Sequence, residues 1–116
     1  LFLVTNKGKI LPESENMIKK RLNEDKLYVI PGFYGCTKDG SIATFSRDGS
    51  NISASYIAAS VQAKLCEIFS DQDGVLAADP KLVKDAKIIK ELTFDEMRDL
   101  AYSGFKIIHP ESLIYA

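Results

Sequence analysis

An arginine and a glycine placed just ahead of a helix start make an anion site, and the run Thr44-Phe45-Ser46-Arg47-Asp48-Gly49-Ser50-Asn51 has that order. Unpaired backbone N–H groups and the helix dipole favour negative charge there. Arg47 could grip a carboxylate in a bidentate fork. The plainer alternative is that Ser50 caps the helix and Arg47 is a surface residue. A second cluster, Asp71, Asp73 and Asp79, lies in the loop that follows an apolar run ending at Phe69. Strand ends in open α/β sheets are where nucleotides and metals sit. Such carboxylates could engage Mg²⁺ through water, or they could simply make solvated turns, since Asp-Gly and Asp-Pro are ordinary turn formers. Lys106 could neutralise a phosphate or serve as positive charge near a helix C-terminus. His109 has no carboxylate fixed beside it in sequence and no nucleophile motif nearby, so it reads as structural. The chain has no GxxxxGK[ST], GxGxxG or GxSxG motif, which removes support for P-loop, Rossmann and hydrolase readings.

Composition bounds what these groups can serve. The 116 residues, 46% hydrophobic and 27% charged, fit one globular unit or part of one. A formal charge of -1, with 15 basic and 16 acidic residues spread along the chain, indicates neither a nucleic-acid face nor a polybasic membrane patch. No apolar run approaches the roughly 18 to 20 residues needed to cross a bilayer, and the opening Leu-Phe-Leu-Val is too short for a signal-peptide core. A cytoplasmic location is the expectation. The 2 cysteines form no CxxC pair and His109 is the 1 histidine, so the usual zinc spacings cannot be assembled and no metal ligand is assigned. Cys36 reads as a partly exposed thiol and Cys66 as a buried small hydrophobe.

The elements that must position these residues alternate between short apolar runs and helical patterns, which argues for an α/β layer. Residues 1–4 read as a strand. Ser14 to Glu24 reads as a helix with Met17, Ile18 and Leu22 on one face. Leu27 to Pro31 reads as a short buried strand, and Gly32 to Phe45 as a β-hairpin turning at Asp39-Gly40. Asp48-Gly49 makes a second turn. Ser50 is expected to cap a helix running to about Ala63, nearly buried all round. Leu65 to Phe69 gives another strand, followed by a loop from Ser70 to Pro80 and an extended piece near Lys87 to Ile89. Thr93 and Glu96 form a capping box for a helix with Phe94, Met97, Leu100 and Ala101 on one face and Gly104 as its stop. Lys106 to Pro110 opens the last segment.

Taken in order, these segments resemble the aspartate kinase branch of the amino acid kinase family. Val29-Ile30-Pro31-Gly32-Phe33-Tyr34-Gly35 is similar to that family's strand and GF.G turn, and Thr44 to Asn51 to its T-L/F-G/S-R-G-G-S-D segment. Ser70-Asp71-Gln72-Asp73-Gly74-Val75 through Ala78-Asp79-Pro80 resembles T-D-V-D-G-V-x-T-A-D-P-R. Gly104-Phe105-Lys106-Ile107-Ile108-His109-Pro110 resembles G-A-K-V-L-H-P.

The resemblance implies a three-layer α/β/α domain with a mainly parallel sheet, of which residues 1–116 form the C-terminal, nucleotide-binding half. It implies phosphoryl transfer from ATP, with Mg²⁺, to the side-chain carboxylate of L-aspartate, giving 4-phospho-L-aspartate at the head of lysine, threonine and methionine synthesis. It assigns Phe33, Arg47, Ser50 and Asn51 to the aspartate site, with Arg47 and Asn51 as the catalytic pair. It assigns Ser70, Asp71, Lys81 and Lys106 to ATP. Departures from the family pattern are Asn51 for aspartate, Asp48 for glycine, Leu76 for tyrosine and Lys81 for arginine. They keep open a degenerate paralogue with a regulatory or binding role, or a kinase of another small carboxylate. The family's K-F-G-G-T-S segment and its regulatory domains are expected to lie outside these 116 residues. Alone the segment is expected to be inactive, and to pair with the missing half-domain or with copies of itself through open strand edges.

Overall fold

The computed structural model describes residues 3–22, 25–71, 73–79, 81–103 and 108–116. Lys7 and Gly8 both take positive φ, 50° and 79°, the pairing that tight two-residue hairpins demand. They fold β1 (Thr5–Asn6) antiparallel onto β2 (Lys9–Ile10), with Thr5 opposite Ile10. Helix α1 (Glu13–Arg21) follows, acidic in its first turn and basic in its last, as its dipole prefers. The buried Ser14 hydroxyl accepts from the Val4 N–H at 2.8 Å and donates to the Val4 carbonyl at 3.1 Å, fastening α1 to the first extended segment. Ile18, fully buried, meets Leu3 and Phe45 in a small core around which Ile10, Leu22, Tyr56 and Ile57 pack. The expected face of α1 is therefore the buried one. Its expected last residue, Glu24, lies outside the described residues.

The predicted hairpin is present. Strand β3 (Tyr34–Cys36) pairs antiparallel with β4 (Ile42–Thr44), and Gly40 at φ 88° makes the turn. On its other side β3 meets the start of the chain, where Cys36 N–H donates to the Leu3 carbonyl at 2.8 Å and Val4 bridges Cys36 in parallel. That approach depends on Gly35, because a Cβ there would lie 2.6 Å from the Leu3 carbonyl oxygen.

Helix α2 (Gly49–Ser60) packs on α1, on β3 and on α4 (Pro110–Tyr115), with Tyr56 meeting Tyr115 edge-to-face at 5.0 Å. Its buried residues include Ile52, Ser53, Ser55 and Ser60, whereas Ala59 is exposed, so it is half buried rather than buried all round. It ends at Ser60 instead of Ala63. Helix α3 (Phe94–Tyr102) begins with the predicted capping box, Thr93 and Glu96 bonding reciprocally. Met97 and Ala101 are buried, Leu100 is half-buried, and Phe94 is exposed. The expected stop, Gly104, lies outside the described residues.

Two expected strands do not form ladders. Leu27 to Ile30 and Leu65 to Phe69 run without pairing, and Leu27, Val29 and Phe69 are 96%, 94% and 90% exposed. A strand is made by its neighbour, and among the described residues neither segment has one. Cys66, expected to be buried in the second, is exposed for the same reason, while Cys36 is half-buried. The Cα radius of gyration of 15.9 Å exceeds the roughly 13 Å of a compact domain this long, in keeping with these uncovered segments.

Candidate functional site

The site is built around the start of α2. Ser46 and Gly49 close a turn, Gly49 N–H donating to the Ser46 carbonyl at 3.0 Å, and Arg47 and Asp48 form its tip. Asp48, at φ 61° and ψ 17°, sits in the left-handed region and is the helix N-cap. Ser50, expected to be that cap, is instead the second helical residue, because the turn places the helix start one residue beyond Asp48. No side chain caps α2, and its first turn carries no acid. The N-cap Asp48 brings a carboxylate to the positive end of its dipole without capping the N–H groups there.

Gly49 is required by packing: a Cβ there would lie 2.3 Å from the Phe45 Cβ and 3.5 Å from the Phe33 ring. The chain before β3 leans on the same spot, since a Cβ on Gly32 would meet Ser50 Cβ at 3.2 Å. Phe33 takes φ 74°, a strained setting for an aromatic residue that persists where surroundings enforce it. The enforcement is visible. Phe33 N–H donates to the buried Ser53 hydroxyl at 3.1 Å, that hydroxyl donates to the Gly49 carbonyl at 3.1 Å, and Phe33 C=O accepts from Phe45 N–H at 2.9 Å. Phe33 is thus held against the start of α2, where Arg47, Ser50 and half-buried Asn51 follow one another closely along the chain. Arg47 is 85% exposed, and its Nε lies 3.8 Å from the Asp48 carboxylate, a loose ion pair at the mouth of the turn.

A further tie reaches this turn from the end of the chain. The Ser46 hydroxyl and His109 Nε2 are 3.0 Å apart, and His109 Nδ1 accepts from Glu111 N–H at 3.2 Å at the head of α4. Neither this contact nor Ser53 was among the sequence-derived site residues. Proline at the first position of α4 is a readable helix-start signal; the histidine's reach to Ser46 has no sequence signature.

The residues assigned to ATP lie elsewhere. Ser70 and Asp71 are exposed neighbours, the hydroxyl donating to the carboxylate at 3.5 Å. Lys81 is exposed, its backbone N–H held by the Asp79 carboxylate at 2.8 Å. The loop between them is pinned by Ala77 N–H to the Lys87 carbonyl and Ile89 N–H to the Val75 carbonyl, with Leu76 bridging Ile88. Lys106 lies outside the described residues. Among the described residues, no group of three or more His, Cys, Asp or Glu converges to hold a metal ion. No helix among them is long and apolar enough to cross a membrane.

The sequence profile described as "Amino acid kinase family" matches residues 2–116. The chain belongs to the amino acid kinase family. Among curated members, it is 44% identical over 118 residues to aspartokinase 3 of Bacillus subtilis, an alignment covering all of this chain and 26% of that protein. It is 40% identical to the aspartokinase of Rickettsia felis, over 93% of this chain and 27% of that one. Among solved members, E. coli aspartokinase III in complex with aspartate and ADP superposes with a TM-score of 0.89 at 29% identity, over 99% of this chain and 28% of that one. Clostridium acetobutylicum aspartate kinase superposes with a TM-score of 0.77 at 39% identity, over 89% of this chain and 24% of that one. This amino acid kinase segment therefore spans about a quarter of the length of the relatives it matches. The α/β fold class is shown by these neighbours. Among the described residues the named ladders are antiparallel, and the parallel pairing is the bridge at Val4.

Proposed function

We propose that these residues are the C-terminal, nucleotide-binding half of an aspartokinase catalytic domain. The parent protein would transfer the γ-phosphoryl group of ATP to the side-chain carboxylate of L-aspartate, forming 4-phospho-L-aspartate. The observation that carries the reading is the gathering of Phe33, Arg47, Ser50 and Asn51 at the uncapped start of α2. It is supported by likeness to a kinase crystallised with aspartate and ADP.

Phosphoryl transfer asks mainly for positioning and for positive charge around the moving group. In this reading Arg47 grips a carboxylate of aspartate, the N–H groups opening α2 receive negative charge, and Asn51 faces the ammonium group as an uncharged acceptor. Ser70, Asp71, Lys81 and Lys106 hold ATP. Mg²⁺ would be carried on the ATP phosphates, with a carboxylate such as Asp71 able to engage it through water. Bound there, Mg²⁺ would neutralise charge on the phosphates. A cytoplasmic location, where free aspartate and ATP are both at hand, is part of this reading. Completion of the sheet by the rest of the polypeptide, or by a second subunit, supplies the remaining site residues.

A second reading, a weakened paralogue that regulates an active partner, is favoured by Asn51 and by the Asp48 carboxylate beside Arg47. Both readings meet one assay: ADP release by the full-length protein with L-aspartate, ATP and Mg²⁺. Aspartate-dependent turnover that Arg47→Ala abolishes supports the kinase. Turnover that arises only after Asn51→Asp overturns it in favour of the regulatory reading.

A further inference from the structure

Arg47 projects from the tip of an exposed turn, and its loose pair with Asp48 is too weak to fix a guanidinium for substrate. Something else must hold the turn. Its last residue is set by Gly49, locked against Phe45 and Phe33. Its first residue, Ser46, is held twice: its carbonyl accepts from Gly49 N–H, and its hydroxyl meets His109 Nε2 at 3.0 Å.

The histidine's other nitrogen assigns the proton. His109 Nδ1 accepts from the Glu111 N–H at 3.2 Å, so the ring hydrogen that can reach Ser46 is the one on Nε2. Nε2–H therefore donates to Ser46 Oγ. The ring backbone is itself anchored, because the His109 carbonyl accepts from both the Ser112 N–H at 2.9 Å and the Ser112 hydroxyl at 2.6 Å. One imidazole thus caps α4 and, from 63 positions away in sequence, clamps the residue that precedes Arg47.

We infer that His109 is a positioning residue for the aspartate site, acting through Ser46 to fix the turn that carries Arg47. The inference rests on the aspartokinase reading for its kinetic consequence, and on the geometry alone for its mechanical one. His109 touches no substrate in this account.

The test uses the full-length protein with His109→Asn, Ser46→Ala and the double variant. Asparagine is a strong N-cap, so it keeps the start of α4 while falling short of Ser46. Two readouts are taken: KM for aspartate against KM for ATP, and the rate of tryptic cleavage after Arg47, which reports order in the turn without needing activity. Loss of one net hydrogen bond predicts a rise of roughly twofold to tenfold in KM for aspartate in each single variant. KM for ATP should hold steady, tryptic cleavage after Arg47 should quicken, and the double variant should be no worse than either single one. Faster cleavage in a protein whose wild type shows no aspartate-dependent turnover supports the clamp and removes the aspartokinase reading. Unchanged cleavage, or effects of the two substitutions that simply add, overturns the clamp.

Discussion

Asp48 combines two costs that can be separated. Its backbone lies in the left-handed region, and its carboxylate stands 3.8 Å from the Arg47 Nε. Left-handed geometry costs a typical L-residue about 1–2 kcal/mol, less for aspartate, whose side chain tolerates it. Glycine removes that cost but gives back about 0.4–1 kcal/mol through the freedom of the unfolded chain. Asp48→Gly should therefore change stability by no more than about 1 kcal/mol. The charge matters more for binding. An exposed pair such as this one is worth about 0.2–1 kcal/mol, and a substrate carboxylate must displace Asp48 to use Arg47 fully. If the aspartokinase reading holds, removing Asp48 should lower KM for aspartate by about 1.4-fold to fivefold. Asp48→Asn keeps the tolerance for left-handed backbone and removes the charge, so it should reproduce the KM effect. The assay is steady-state ADP release at low and at high ionic strength, where screening should narrow the gap between wild type and variant. A KM for aspartate that is unchanged or raised in both variants at low salt would refute the argument that Asp48 competes for Arg47.

Three further outcomes follow from the packing. Gly49→Ala forces a methyl group to 2.3 Å from Phe45 Cβ, so thermal unfolding of the full-length protein should show a loss of about 1–3 kcal/mol. Ser53→Ala leaves the Phe33 N–H without its acceptor; a loss of about 1–3 kcal/mol should accompany faster hydrogen exchange at the Phe33 amide. Glu96 has its carboxyl held below the usual 4.5 by the Thr93 backbone N–H first and the Thr93 hydroxyl second. A depressed folded-state value means the cap contributes fully above pH 4.5 and fades as pH falls through the folded value. Thermal unfolding from pH 7 to pH 3 should show Glu96→Gln losing less stability on acidification than the wild type does.

The sequence was most legible where one local rule decides the outcome. Asp39-Gly40 announced the β3–β4 hairpin, and Thr93 with Glu96 announced the start of α3, because turn and cap chemistry act over a few residues. The site roles of Phe33, Arg47, Ser50 and Asn51 come from motif order and stand as a proposal; the structure sets Phe33 beside Gly49 and Ser53. Misreadings came where the answer depends on distant neighbours. Leu27 to Ile30 and Leu65 to Phe69 have strand composition, but hydrogen-bond partners make a strand and the described residues supply none. Ser50 looked like a cap because serine favours that role; the turn closed by Gly49 N–H on the Ser46 carbonyl makes Asp48 the N-cap instead. Helix α4 was missed although Pro110 marked its first turn, and the His109 to Ser46 contact is invisible in sequence because tertiary folding alone brings the two together.

The bare segments on either side of α2 carry a consequence for the life of the chain in a cell. Tyr28 and Ile30 share one groove with Leu65 and Cys66 across the α2 residues Ser53, Ala54 and Ile57, in a space of about 430 Å³. Until a pairing strand enters, these apolar stretches are what chaperones and proteases recognise, and what adheres to other chains. The soluble yield of residues 1–116 made alone would then gauge whether these segments need a pairing strand from elsewhere. Supplying the remainder of the polypeptide as a separate chain should raise the yield if it covers the groove, turning an expression level into a measure of domain complementation.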